Sequence, residues 1–371
     1  MKFLRLSPDQ VQAGQALAWN VYNEHQQLLL HKDYVLQTPE QVRALIERGV
    51  FVDQDDFAQH QRQRAQAQRA QNAVALWHDV QQRLEQLLHH ADAMSPQAFR
   101  DDLHDCAQGI NQGIERQRDA SLFELLYADD HDGYTAKHAM QTAFVASLVG
   151  QGLGWSATER DTLTHAALTM NLGMSRLQSE LCGQSLPLNP QQRDAVDHHA
   201  ELSRQQLEAK GVTDQGWLRA VAEHHVTPNG GPLPAHHAQL SEQACMLHYT
   251  DVYLAKISAR AYRPAMTAHA AARSLFMQAD GPRNPYVSAL IKELGVYPPG
   301  SCVRLANGEV GVVVRRGEAA HLPEVRSLTD PHGLALPSTP LRDTAQAPYK
   351  VVEGLPRHAL TRRMDRQALF A

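Results

Sequence analysis

Residues 163–174 read Leu-Thr-His-Ala-Ala-Leu-Thr-Met-Asn-Leu-Gly-Met. Leu163, Ala166, Ala167, Met170 and Met174 recur three and four positions apart, the period of one face of an α-helix. They predict a dry helix face, with Met170 and Met174 as core. The stretch lies inside residues 122–295, where the pattern is helical almost throughout and the helix ends are signposted. Ser156 with Glu159 forms a capping box, and Asn189 followed by Pro190 reads as an N-cap and first helical residue. This run sets the fold class as mainly α, a helical bundle.

The flanks differ from it. Residues 1–54 predict a small β-rich N-terminal module: Ala16 to Tyr22 pairs with Gln27 to Leu30 across Asn23 to His25, Pro39 to Arg48 forms a short helix, and Val50 to Val52 a further strand. Residues 55–121 change to Gln, Arg and Ala and predict a helical connector, with Leu84, Leu87 and Leu88 as its apolar stripe. After Tyr297-Pro298-Pro299-Gly300 the pattern turns to strands. Val303 to Leu305 and Val310 to Val314 flank Asn307-Gly308, a type I′ hairpin signal. Residues 296–371 are therefore read as a small β C-terminal extension and a weakly specified tail.

A chain of 371 residues has ample core for two or three domains. Its 35 basic and 40 acidic residues give a net charge of −5. No basic tract follows a phosphate backbone, which argues against nucleic acid as partner. Cys106, Cys182, Cys245 and Cys302 are too far apart for a zinc knuckle or a redox pair. No apolar run approaches the ~20 residues that span a bilayer, and the N-terminus lacks an apolar leader core. The expected location is cytoplasmic.

The chain has 21 histidines, four times as adjacent pairs, so a pair alone carries little. His224 and His225 stand out because Trp217, Leu218, Val221 and Ala222 place them at the end of an apolar helical stripe, from which both are expected to point inward. Asp251 falls in the series Leu240, Ala244, Leu247, Asp251, Leu254. A carboxylate on such a face needs a cation, a metal or several donors.

Taken in order, these motifs resemble the HD-GYP family, metal-dependent phosphodiesterases that linearise cyclic di-GMP. Tyr134 to His138 is similar to the family's opening helix with its first ligand, and Ala166 to Gly173 to the segment bearing the His-Asp signature. His199-Ala200-Glu201 resembles the His-Pro-Glu site. His224 and His225, then Asn229, Gly230 and Gly231, resemble the stretch that ends in Gly-Tyr-Pro. Asp251-Val252-Tyr253, followed by Arg260, Tyr262, Arg263 and Pro264, is similar to the Asp-Val-Tyr helix and its Arg-Pro-Tyr-Arg tail. The resemblance spans roughly residues 125–315.

It implies metal ligands at His138, His199, His224, His225 and Asp251, and phosphate contacts from Arg260 and Arg263, one helical turn apart. It also exposes departures. Met170 and Asn171 stand where the family has His and Asp, Met174 replaces a lysine, and Pro232-Leu233-Pro234 replaces Gly-Tyr-Pro. An Asn offers one neutral carbonyl oxygen where two metals share a carboxylate, and a thioether is a poor ligand for iron or manganese. One metal position would keep only His138 and Asp251; the other would keep His199, His224 and His225, enough for a single divalent ion (Fe, Mn or Zn), or for none. The implied function is a catalytically impaired regulator in cyclic di-GMP signalling, sensing that or a related nucleotide or presenting a surface to a protein partner. The alternatives are an active phosphodiesterase with a mononuclear site and a pure scaffold.

Overall fold

A computed structural model describes residues 3–6, 10–47, 49–127, 133–226, 240–261, 263–359 and 369. Asn229 to Pro234, the pair His236 and His237, and Tyr262 lie outside the described residues. The chain divides into two compact units, one up to residue 69 and one of residues 70–369.

In the first unit, β1 (Phe3–Arg5), β2 (Val21–Tyr22), β3 (Leu28–Leu30) and β4 (Phe51–Asp53) form an antiparallel sheet in the order β1-β4-β2-β3. The expected hairpin is present, with Val21 opposite Leu30. Its turn is fixed locally: Asn23 Oδ1 accepts the backbone N–H groups of His25 and Gln27, both at 2.9 Å. Helix α1 (Pro39–Glu47) contributes Val42 and Leu45 to a core with Trp19, Val21, Val50 and Val52.

Helix α2 (Gln54–His90) begins in the first unit, and its C-terminal part belongs to the second, where Leu84, Leu87 and Leu88 are buried. Then follow α3 (Pro96–Arg116), α4 (Arg118–Tyr127), α5 (Tyr134–Gly152), α6 (Ala157–Thr169), α7 (Ser175–Gly183), α8 (Pro190–Ala209), α9 (Gln215–Glu223), α10 (Glu242–Ile257), α11 (Ala268–Gln278) and α12 (Pro285–Leu294). Helix α5, buried on nearly all sides, is the hub: α3, α6, α10 and α12 pack on it. Such a helix reads apolar all round, as Ala143 to Val149 does. The capping boxes at Ser156 and Asn189 are both formed.

The opening stretch departs from a continuous helix. Leu163, Ala166, Ala167 and Met170 are buried as expected, but α6 ends at Thr169 and the chain passes into a 3₁₀ turn, Leu172–Met174. Met174 is thereby taken off the stripe and is only half-buried. Its expected place in the core is corrected.

The C-terminal extension is a five-stranded antiparallel sheet of order β8-β7-β6-β5-β9: β5 (Cys302–Leu305), β6 (Val310–Arg315), β7 (Glu324–Thr329), β8 (Leu341–Asp343) and β9 (Val351–Leu355). The β5–β6 hairpin turn is not type I′. Only Gly308 has positive φ (89°), and the Gly308 N–H reaches Leu305 O at 2.9 Å, closing a three-residue loop. Far from being weakly specified, the tail donates β9 to the sheet, beside β5. Among the described residues no helix is long and apolar enough to cross a membrane.

Candidate metal centre

Two clusters gather the predicted ligands. The first joins the middle of α8 to the end of α9. His199 and His224 are buried and His225 is exposed; the candidate ligand atoms of the three rings lie within 4.8 Å of one another. Both members of the 224–225 pair turn toward the cluster, as expected, with the His225 ring 5.0 Å from that of His199 and 4.2 Å from that of His224. Helix α9 stops there, with His224 as C-cap, so His225 meets the cluster from its solvent-exposed side.

The tautomers of this cluster follow from its partners. His199 Nδ1 lies 2.6 Å from Val196 O and His224 Nδ1 lies 2.6 Å from Val221 O. A carbonyl only accepts, so both Nδ1 atoms carry hydrogen. In neutral rings the two Nε2 atoms, 3.3 Å apart, then face each other with lone pairs. Protonating one would relieve this, but burial holds His224 well below the ordinary imidazole value, with the His225 and His199 rings adding to the effect. Burial likewise lowers His199, against the Val196 carbonyl, which pulls upward. Two buried lone pairs aimed at one point, each ring anchored through its other nitrogen to a backbone carbonyl, is the arrangement that orients imidazoles toward a metal. The donor set fits a single divalent ion.

The second cluster is made differently. His138 on α5 places Nε2 2.7 Å from Asp251 Oδ1 on α10. Burial works against ionisation of Asp251, but the hydrogen bond from His138, with the field of the neighbouring imidazoles, outweighs it and holds the carboxyl well below the usual range. The carboxylate accepts, so His138 Nε2 donates and has no lone pair left for a metal. Its Nδ1 is buried without a partner among the described residues. Tyr134 stacks on the His138 ring at 5.5 Å, and Arg260 reaches Tyr134 Oη at 3.1 Å. The half is a run of contacts, Asp251–His138–Tyr134–Arg260, made of two hydrogen bonds and one ring stack.

Met170 and Asn171 lie in the turn after α6. Met170 is buried, and Asn171 Oδ1 is buried without a hydrogen-bond partner among the described residues. The turn is stitched to α8 by Ser203, whose Oγ accepts from Gly173 N–H at 2.9 Å and lies 2.9 Å from Met170 O and 2.7 Å from His199 O. Gly173 is required there: a Cβ would stand 2.8 Å from both His199 O and Ser203 N. The segment that lacks the expected His and Asp is thus braced against the backbone of a metal-ligand candidate.

Arg260 and Arg263 are not one helical turn apart. Helix α10 ends at Ile257, and the two residues pair across a tight turn, each backbone N–H meeting the other's carbonyl at 2.9 Å. The ring of Pro264 disfavours helix at Arg263. The Arg263 guanidinium folds back on Ala255 O. Arg260 alone of the pair lines a neighbouring cavity.

Two participants escaped the sequence reading. Ser203 is one. The other is His248, three residues before Asp251, whose Nδ1 lies 2.9 Å from His224 O and whose ring is 6.2 Å from that of His225. The i, i+3 spacing of His248 and Asp251 on one helix was the available signal.

An HD domain matches residues 124–283. Cyclic di-GMP phosphodiesterase PA4108 of Pseudomonas aeruginosa is 26% identical over 228 residues, 60% of this chain and 54% of that protein. The chain therefore spans about half the length of this curated relative. Among solved structures, Bd1817, an HDG"Y"P protein from Bdellovibrio bacteriovorus, is similar with a TM-score of 0.48 and 14% identity over 78% of this chain and 98% of that one.

Proposed function

We propose that this chain, whose residues 124–283 match an HD domain, is a catalytically impaired HD-GYP-like protein that acts as a regulator in cyclic di-GMP signalling. The observation that carries the reading is the contrast between the clusters: His199, His224 and His225 suit one ion, while Asp251 is engaged by His138 and Met170 and Asn171 offer no bridging carboxylate. A bound ion would supply a Lewis acid and an anchor for a phosphate oxygen. The protein's share is to hold two Nε2 lone pairs at one point through the Val196 and Val221 carbonyls and to keep both rings unprotonated. Arg260, which also bonds Tyr134 Oη, supplies a positive charge beside the site. What is missing is a carboxylate shared between two metals, which would fix and activate the attacking water.

The three-imidazole cluster also favours a second reading, an active phosphodiesterase or phosphohydrolase with a mononuclear site. Cyclic di-GMP hydrolysis by the purified protein, with and without a chelator, separates the two. The regulator reading expects no chelator-sensitive turnover in the wild type, and more bound metal with partial activity in Met170→His/Asn171→Asp. Turnover in the wild type that is abolished by chelation and by His199→Ala would overturn it.

A further inference from the structure

Beside the His138 half lies a cavity of about 440 Å³, within the size range of small-molecule sites, between α7, the 184–188 loop and the start of α8. It touches both clusters through their supports: Tyr134 stacks on His138, and the Val196 carbonyl anchors His199. Its wall is mostly carbon, from Met174, Leu181, Leu186, Leu188 and Val196. Its charges are both positive, Arg193 and Arg260, and no carboxylate lines it.

The loop is preformed. Gln184 and Gln192 exchange side-chain amide hydrogen bonds at 3.1 and 2.9 Å, and Gln184 Nε2 also holds the Leu186 and Pro187 carbonyls. This fixes the loop with Leu186, 74% exposed, at the cavity's lip, an uncovered apolar group where a ligand would shelter it. Gln178, more than nine-tenths buried, lines the same cavity, and its Oε1 meets no hydrogen-bond donor among the described residues. Buried polar atoms are ordinarily satisfied, and this acceptor needs a donor, so it is a place for a water that comes with the ligand and not for an anionic head.

We propose that this cavity binds an amphipathic anion, a single carboxylate on a medium-length acyl chain, with the head between Arg193 and Arg260 and the chain against Met174, Leu181, Leu188 and Leu186. A dinucleotide presents two phosphates and polar base edges, which this carbon wall would leave unsatisfied. The thioether of Met174 fits an acyl chain and cannot neutralise a phosphate. The inference goes beyond the regulator reading and holds whichever account of the metal centre is correct.

The test is calorimetry of the full chain with decanoate below its micellar concentration, with decylamine as the same tail of opposite charge. Decanoate is expected to bind one-to-one and decylamine not to bind. Arg193→Glu and Leu186→Asp, both at exposed positions whose change spares the fold, should each weaken decanoate about tenfold or more. His224→Ala, which removes a metal ligand, should leave it unchanged. No decanoate heat, equal binding of decylamine, or indifference to both substitutions would overturn the proposal. So would cyclic di-GMP binding that Arg193→Glu abolishes in a protein that ignores decanoate, which would assign the cavity to the nucleotide. Hydrolysis of cyclic di-GMP by the wild type would overturn the regulator reading and leave this one standing.

Discussion

In the His199–His224–His225 half, each buried ring commits Nδ1 to a carbonyl of its own helix and turns Nε2 toward its neighbour. In the His138–Asp251 half, the ring commits Nε2 to a carboxylate and leaves Nδ1 unmet. The residue types are those of a metal site in both cases. What separates the two is which nitrogen is in use. A histidine is a ligand only when its free lone pair faces the ion, and a backbone carbonyl behind Nδ1 secures that, whereas a carboxylate in front of Nε2 removes it.

The comparison can be broken by mutation. Asp251→Ala should have the largest effect on stability, about 2–3 kcal/mol in urea unfolding, because it strands the His138 N–H in a mostly buried place. Zinc affinity should be nearly unchanged. A loss of zinc binding with Asp251→Ala would mean that the carboxylate is a ligand and that the halves form one site.

Gly173→Ala should cost about 1–2 kcal/mol, since the new Cβ presses on backbone atoms of α8 that cannot move aside singly. Unlike Asp251→Ala it should also reduce zinc affinity, by about tenfold, because the displaced backbone is that of His199. Calorimetric zinc titration checks the second effect, and equal affinities would show that the turn does not position the ring. The smallest change in stability, within about 0.5 kcal/mol, is expected for His225→Ala at an exposed site. Its effect should fall on zinc affinity alone, which sharpens the contrast with Asp251→Ala.

Much of this was legible beforehand. The helix caps at Ser156 and Asn189 are local chemistry, and local chemistry survives folding. The apolar series around Asp251 put it within α10 and that before His224 put it at the end of α9, because a buried face imposes its period on the sequence, whereas His138 and His199 came from the family resemblance. What was not legible depends on where helices stop. The end of α6 at Thr169 took Met174 out of the core and into a cavity wall. The end of α9 left His225 at the solvent-exposed rim of its cluster, and the end of α10 turned Arg260 and Arg263 into partners across a loop. Pro264 was the one printed warning of the last. The His138–Asp251 pairing could not be read at all, since a carboxylate that accepts from a histidine and one that binds a metal have the same sequence.

The most direct measurement is metal content after zinc loading, compared for wild type, His224→Ala and His138→Ala. The account predicts one ion per chain in the wild type, none in His224→Ala and one in His138→Ala. Two ions per chain in the wild type, or an ion that survives His224→Ala and disappears with His138→Ala, would contradict it.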